Sequence, residues 1–248
     1  MRESETNLKC LILSGGFGTR LAEFTDQIPK PMVPIGKYPI ITHIMSHYSS
    51  FGIKDFVVLG GYKIEKIREY FGAAGAELAQ RNSWNIEILD TGLETSTAGR
   101  LLKAQHAVNR DFLLTYGDGL ADVDLQKLIR LHTSSNKSAT VTAVRPPARF
   151  GTIEFQDDTV TSFSEKDPQK VGWINGGFFC LSASIFNYVK DSSLSFESQP
   201  MQLLVKNREL GVLPHEGFWH PMDTIRDRRV LEEIWHSGKA PWSTEALR

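Results

Sequence analysis

Lys9-Cys10-Leu11-Ile12-Leu13-Ser14-Gly15-Gly16-Phe17-Gly18-Thr19-Arg20 joins a short apolar run to a glycine-rich loop. The run Lys9–Leu13 is predicted to be a buried strand. A glycine-rich loop directly after a buried first strand is where doubly wound α/β folds hold phosphates. Glycine lets the backbone approach an anion and leaves N–H groups pointing at it. Ser14, Gly15, Gly16, Gly18 and Thr19 are therefore candidate nucleotide-binding positions. The loop is neither of two common phosphate signatures. Gly16 and Gly18 begin a GxGxxG pattern, but Leu21 stands where its third glycine belongs, and no Gly-Lys-Ser/Thr triplet follows. A dinucleotide-dependent oxidoreductase is thereby disfavoured.

Outward from this junction, apolar runs and amphipathic stretches alternate. Strands are expected at Asp55–Leu59, Asn85–Leu89, Asp111–Tyr116 and Ser138–Val144. Helices are expected at Ile40–Phe51, Lys63–Phe71, Ala98–Val108 and Asp124–His132. That alternation predicts a parallel sheet with helices on both faces. Beyond residue 145 the pattern changes. Gly151–Phe155, Thr159–Phe163 and Trp173–Leu181 read as closely connected, antiparallel strands, followed by helices near Glu197–Lys206 and Thr224–Trp235. The expected fold is α/β, a mixed sheet flanked by helices. Residues 1–248 are expected to form one domain, with a nucleotide-binding core at about 9–145 and a mixed, ligand-covering portion with C-terminal helices at about 146–248.

Composition narrows the function classes. Of 248 residues, 28 are Lys or Arg and 29 are Asp or Glu, a net charge of −1, so bulk positive charge for nucleic acid is absent. Cys10 and Cys180, the two cysteines, both lie in apolar strand-like runs and are expected as reduced core thiols. The polar start MRESETNLK holds no secretory h-region, and no apolar run reaches the ~18 residues of a membrane span. A cytoplasmic protein without membrane or nucleic-acid partners is expected.

Two cations flank the glycine loop: Arg20, and Lys30 within Pro29-Lys30-Pro31, where the prolines stiffen the backbone. A guanidinium fork and an ammonium both suit a triphosphate. Two aspartates invite attention as metal ligands. Asp118, between Gly117 and Gly119, ends the fourth strand at the side where such folds bind ligands. Asp223 lies just before a helix. The ordinary alternatives are a turn residue at 118 and a helix cap at 223. Asp122 and Asp124 are expected to cap the helix after them. Thr91, Gly99 and Arg100 belong to a stretch, Thr91–Leu101, whose small residues at a helix start leave backbone groups for a base edge. There the alternatives are a cap by Thr95 or Thr97 and a solvated charge at Arg100.

Taken together, LILSGGFGTRL and PKPMVPIG resemble the signature of the sugar-1-phosphate nucleotidyltransferases. PPARFG (146–151), WINGGFF (173–179), the stretch DTGLETSTAGRL (90–101) and the closing GFWHPMDTIRDRRVLEEIW…GKAPW are similar to the glucose-1-phosphate cytidylyltransferase branch of that family. The resemblance runs from Lys9 to Trp242. It departs at 72–84, where the branch carries a longer insertion with aromatic and basic residues.

This resemblance implies a Rossmann-like nucleotide-diphospho-sugar transferase fold and a reaction of CTP with a hexose 1-phosphate, α-D-glucose 1-phosphate first. It implies Mg²⁺ held by Asp118 and Asp223, and triphosphate contacts from Arg20 and Lys30, all four counted as catalytic. Gly117 joins the nucleotide-binding set. Gly151, Glu165, Lys166, Asn175, Gly176 and Trp219 are implied to line the sugar-phosphate pocket, with Lys166 on the acceptor phosphate. Arg100 would read a pyrimidine edge, since cytosine O2 and N3 both accept. A homo-oligomer is implied as well. The same chemistry with UTP, dTTP or GTP is the nearest alternative. A non-catalytic nucleotide-sugar-binding regulatory homologue would be expected to lack Lys30, Asp118 or Asp223, and all three are present.

Overall fold

The computed structural model describes residues 8–147, 151–165 and 172–247. Its centre is a seven-stranded sheet in the order β12-β8-β11-β6-β1-β4-β5. The strands are β1 (Lys9–Ser14), β4 (Asp55–Gly60), β5 (Asn85–Asp90), β6 (Phe112–Tyr116), β8 (Ala139–Val144), β11 (Ile174–Leu181) and β12 (Leu210–His215). Strands β5, β4, β1 and β6 are parallel neighbours, as the alternating first half predicts. β11 runs antiparallel, but its partners are β6 and β8 rather than the two strands before it. Those two, β9 (Thr152–Gln156) and β10 (Thr159–Ser164), form a separate antiparallel hairpin. The two portions of the chain therefore share one sheet.

Side-chain alternation builds a core on each face. Cys10 and Ile12 of β1, Phe56 and Val58 of β4, and Phe178 and Cys180 of β11 point to one face. They meet Ile41, Ile44, Met45 and Tyr48 of helix α2 (Ile40–Ser50). Leu11 and Leu13, Val57 and Leu59, and Phe179 and Leu181 point to the other, against Ala98 and Leu101 of α5 (Thr97–Lys103) and Leu204 of α7 (Gln199–Lys206). Both cysteines are buried free thiols.

Other elements surround this frame: α1 (Ala22–Thr25), the two-residue strands β2 (Pro34–Ile35) and β3 (Tyr38–Pro39), α3 (Ile64–Gly72), α6 (Leu125–Ser135) and α8 (Ile225–His236). The short 72–84 stretch folds as α4 (Ala76–Arg81) and ends in buried Trp84, edge-on to Phe56. The C-terminal segment is tied down by Trp242, whose indole N–H donates to His43 Nδ1 (3.3 Å) while His43 Nε2 bonds the Ile35 carbonyl (2.9 Å). Among the described residues, no helix is long and apolar enough to cross a membrane.

Candidate active site

At the carboxyl ends of β1 and β6 lies a cavity of about 580 Å³, walled by Ser14, Gly15, Gly16 and Gly18 on one side and Asn175, Gly176 and Trp219 on the other. This is the ligand crevice of an open α/β sheet. Gly18 adopts φ +66°, and a Cβ added to it would stand 3.1 Å from the Lys30 Cβ, so loop and lysine are in contact.

Lys30 is the pivot. Pro29 and Pro31 bracket it in a single 3₁₀ turn, Lys30–Met32. Its ammonium donates to Asp118 Oδ2 and to Asp223 Oδ1, each at 2.6 Å. Only 14% of the Lys30 side chain is exposed. Burial works against its charge, but the two carboxylates outweigh burial and hold its pKa above the ordinary lysine value. Arg20 joins from the rim, 3.6 Å from Asp223 Oδ2 and 76% exposed.

A backbone register brings the two aspartates together. β7 (Gly119–Ala121) pairs antiparallel with β13 (Trp219–Pro221), aligning Gly119 with Pro221, and Met222 N–H donates to the Asp118 carbonyl at 2.8 Å. The helix-cap alternative for Asp223 is closed by its neighbour. Thr224 caps α8 in a reciprocal box with Asp227. Asp124 caps α6, as expected, whereas Asp122 lies 3.0 Å from His215 Nε2 and is not a cap.

The donor set fits a hard divalent cation. Two carboxylate oxygens already converge on one positive nitrogen, and neither thiolate nor imidazole intrudes. Among the described residues no group of three or more His, Cys, Asp or Glu forms a ready-made metal cage. A cation here would take its remaining ligands from phosphate and water, as Mg²⁺ characteristically does.

Arg100 departs from expectation. It reaches the cavity wall, but it is 4% exposed. Nη1 donates to the carbonyls of Gly60 (3.0 Å) and Gly92 (2.9 Å) and to the Thr91 hydroxyl. Nη2 donates to the carbonyls of Gly15 (2.9 Å) and Leu93 (3.2 Å). A Cβ on Gly15 would stand 2.0 Å from its guanidinium carbon, and one on Gly61 2.5 Å from Nη1. Arg100 is thus a clamp tying the glycine loop to the ends of β4 and β5, with its Nη donors spent on the protein. Thr91 is a buried member of the clamp. Gly99 makes room for the Ser192 carbonyl, 2.5 Å from where a Cβ would be, and does not line the cavity. The α5 cap is Ser96, not Thr95 or Thr97.

On the opposite wall the Trp219 indole donates to the Gly176 carbonyl at 2.8 Å. Gly176 is required where β11 bulges against β8, since a Cβ there would meet Val144 Cγ1 at 2.7 Å. Gly117, before Asp118, also lines the cavity; Thr19 does not. Gly151 and Glu165 lie together, a Cβ on the glycine falling 2.9 Å from Glu165 Oε2, but neither lines the cavity. Lys166 and Phe150 lie outside the described residues. Tyr116 is a wall residue that sequence reasoning missed.

Residues 9–219 match the family model described as nucleotidyl transferase. The chain is 42% identical to the glucose-1-phosphate cytidylyltransferase of Salmonella typhi over 255 aligned residues, 96% of this chain and 99% of that one. It is likewise 42% identical to the probable glucose-1-phosphate cytidylyltransferase of Bacillus subtilis (strain 168), over 95% and 99% of the two chains. A crystal structure of a putative glucose-1-phosphate thymidylyltransferase from Bacillus anthracis, in complex with a sucrose, shares the fold. Its TM-score is 0.71 at 22% identity, covering 92% of this chain and 95% of that one. The chain belongs to the nucleotidyl transferase family.

Proposed function

We propose that this protein transfers the cytidylyl group of CTP to a hexose 1-phosphate, α-D-glucose 1-phosphate first, releasing pyrophosphate. The observation that carries the reading is the meeting of Lys30, Asp118 and Asp223 at the wall of a cavity bordered by the glycine loop. The CTP and glucose 1-phosphate assignment leans on relatives 42% identical along nearly the whole chain.

The attacking oxygen belongs to the sugar phosphate and is already anionic at neutral pH, so no general base is needed. None of the described histidines lines the cavity. A phosphate oxygen bonds to the α-phosphorus of CTP as the bond to the β-bridging oxygen breaks, and pyrophosphate leaves with that electron pair. The barrier is the approach of two anions, which makes catalysis a matter of positioning and fixed charge. The glycine loop offers backbone N–H groups to the triphosphate. Lys30 and Arg20 bind it and steady the leaving pyrophosphate. Asp118 and Asp223 would hold Mg²⁺, which when bound neutralises phosphate charge. Asn175, Gly176 and Trp219 shape the acceptor side, with Lys166 on its phosphate.

A second reading keeps the chemistry and changes the nucleotide; what favours it is Arg100, whose Nη donors are spent on carbonyls. One experiment decides: each of four NTPs against several sugar phosphates with Mg²⁺, following pyrophosphate release. CTP with glucose 1-phosphate is expected to give the highest kcat/KM. Preference for another nucleotide would establish the second reading, and no release with any pair would reject both.

A further inference from the structure

A hydrogen-bonded chain outside the reacting centre joins both sides of the cavity. Asn175 Nδ2 donates to Tyr116 Oη at 2.9 Å, and Tyr116 Oη donates to Glu197 Oε1 at 2.6 Å. Glu197 Oε2 accepts from the Thr97 hydroxyl at 2.8 Å, and that hydroxyl oxygen accepts the Phe196 N–H at 2.7 Å. Asn175, Tyr116 and Thr97 line the cavity; Glu197 does not. Thr97 opens α5 on the glycine-loop side, whereas Asn175 lies in β11 on the acceptor side.

The polarity of this chain is fixed by chemistry. An ionised carboxylate only accepts, so the Tyr116 O–H must point to Glu197. The Tyr116 oxygen then has only lone pairs for Asn175, which must offer its NH₂. The other end of the carboxamide agrees, since Asn175 Oδ1 accepts the Gly177 N–H at 2.8 Å. The ring is seated to match: Gly177 sits at φ +79°, and a Cβ there would fall 2.3 Å from Tyr116 Cδ2. Asn175 is thereby locked with its oxygen occupied and one N–H left over, a donor suited to a hydroxyl or phosphate oxygen.

We propose that Glu197, acting through Tyr116, orients Asn175 as a hydrogen-bond donor to the phosphorylated sugar, and that Glu197 and Tyr116 are positioning residues for that substrate. This rests on the proposed function for the identity of the ligand, but the lock itself is a property of the protein alone.

Two readouts test it. The first uses ligand-free protein: the ¹⁵N–¹H signals of the Asn175 side-chain amide, assigned by their loss in Asn175→Asp. In wild type the two protons are expected to be well separated in shift and slow to exchange. In Tyr116→Phe and Glu197→Ala they are expected to draw together and exchange faster. The second is steady-state kinetics with CTP and glucose 1-phosphate. Both variants are expected to raise the KM for the sugar phosphate about tenfold, the size of one lost hydrogen bond. The KM for CTP and kcat should stay within about twofold, and the double variant should be no worse than Tyr116→Phe alone, because both residues act through one chain. Unchanged Asn175 signals in Tyr116→Phe, an acceptor KM within twofold of wild type, or equal rises in both KM values would overturn the proposal. A wild-type enzyme inert with every nucleotide and sugar phosphate would reject the proposed function instead, and the amide signals would still judge the lock.

Discussion

Replacing Arg100 by Met keeps most of the side chain's length and removes its donors. Four Nη hydrogens now serve five acceptors drawn from the glycine loop, the end of β4 and the Thr91–Leu93 segment. At about 1.5–3 kcal/mol for each hydrogen bond to a charged group, the simple sum would be roughly 6–12 kcal/mol. That sum is an upper limit, because the cavity lets water reach part of the orphaned carbonyls. Leaving about two of these buried acceptors without a donor, at about 1.5–2.5 kcal/mol each, costs about 3–5 kcal/mol. For a chain of this size each kcal/mol lowers Tm by about 2–4 °C, so Arg100→Met is expected to melt roughly 6–20 °C below wild type. A loosened glycine loop should raise KM for CTP and UTP alike. Scanning calorimetry, together with kcat/KM for both nucleotides, checks this. The clamp predicts a lower Tm with the CTP/UTP ratio held within about twofold. A Tm within about 2 °C of wild type, together with a collapsed CTP/UTP ratio, would refute the clamp and return Arg100 to a base-reading role.

Lys30→Ala removes the charge that pairs both aspartates and is expected to lower kcat by about 10²–10³-fold with the far-UV spectrum unchanged; a rate within tenfold of wild type would count against it. Trp219→Phe loses the bond to the Gly176 carbonyl, a cost of about 1 kcal/mol. Tm should fall by about 3 °C and the sugar-phosphate KM should rise while the CTP KM holds; a sugar-phosphate KM unmoved in titration kinetics would contradict this. Burial lowers the pKa values of His43 and His47 to about 4 from 6.5. Between those values the unfolded chain binds more protons than the native one, so stability is complete above the unfolded pKa and falls as pH drops. From pH 7 to pH 5 each should cost about 2 kcal/mol, readable as a shifted guanidinium midpoint; equal midpoints at the two pH values would show that neither histidine is held neutral.

The parallel half of the fold was legible because its strands are continuous apolar runs and its helices carry one apolar stripe. Less visible was β12: Leu210-Gly211-Val212-Leu213-Pro214-His215 contains a glycine and a proline, which mark turns in a sequence and are tolerated here because the strand is at the sheet edge. The pairing of β7 with β13 rests on three residues a side, too few for any periodicity, yet it sets Asp118 beside Asp223. Residue patterns alone left Asp223 between cap and ligand. Thr224 with Asp227 three places on is a capping box, and that spacing was the available signal that Asp223 was not needed for the cap. The turn of Arg100 toward the glycine loop was not legible, because residue type reports what a side chain can bond but not which way it turns. The hint lay in glycines at 15 and 61, in separate loops, where any Cβ would strike the guanidinium. Tyr116 and Glu197 carried no such mark, since their link spans distant segments of the chain.

The proposed reaction requires Asp118 and Asp223 to act as a single site on substrate phosphates. The direct measurement is pyrophosphate release by Asp118→Asn, Asp223→Asn and the double variant, with Tm recorded for each. Each single change is expected to reduce kcat by about 10³-fold or more, and the double variant to be no slower than the worse single one, with little change in Tm. Near-normal turnover in either single variant, or losses that multiply in the double, would contradict it.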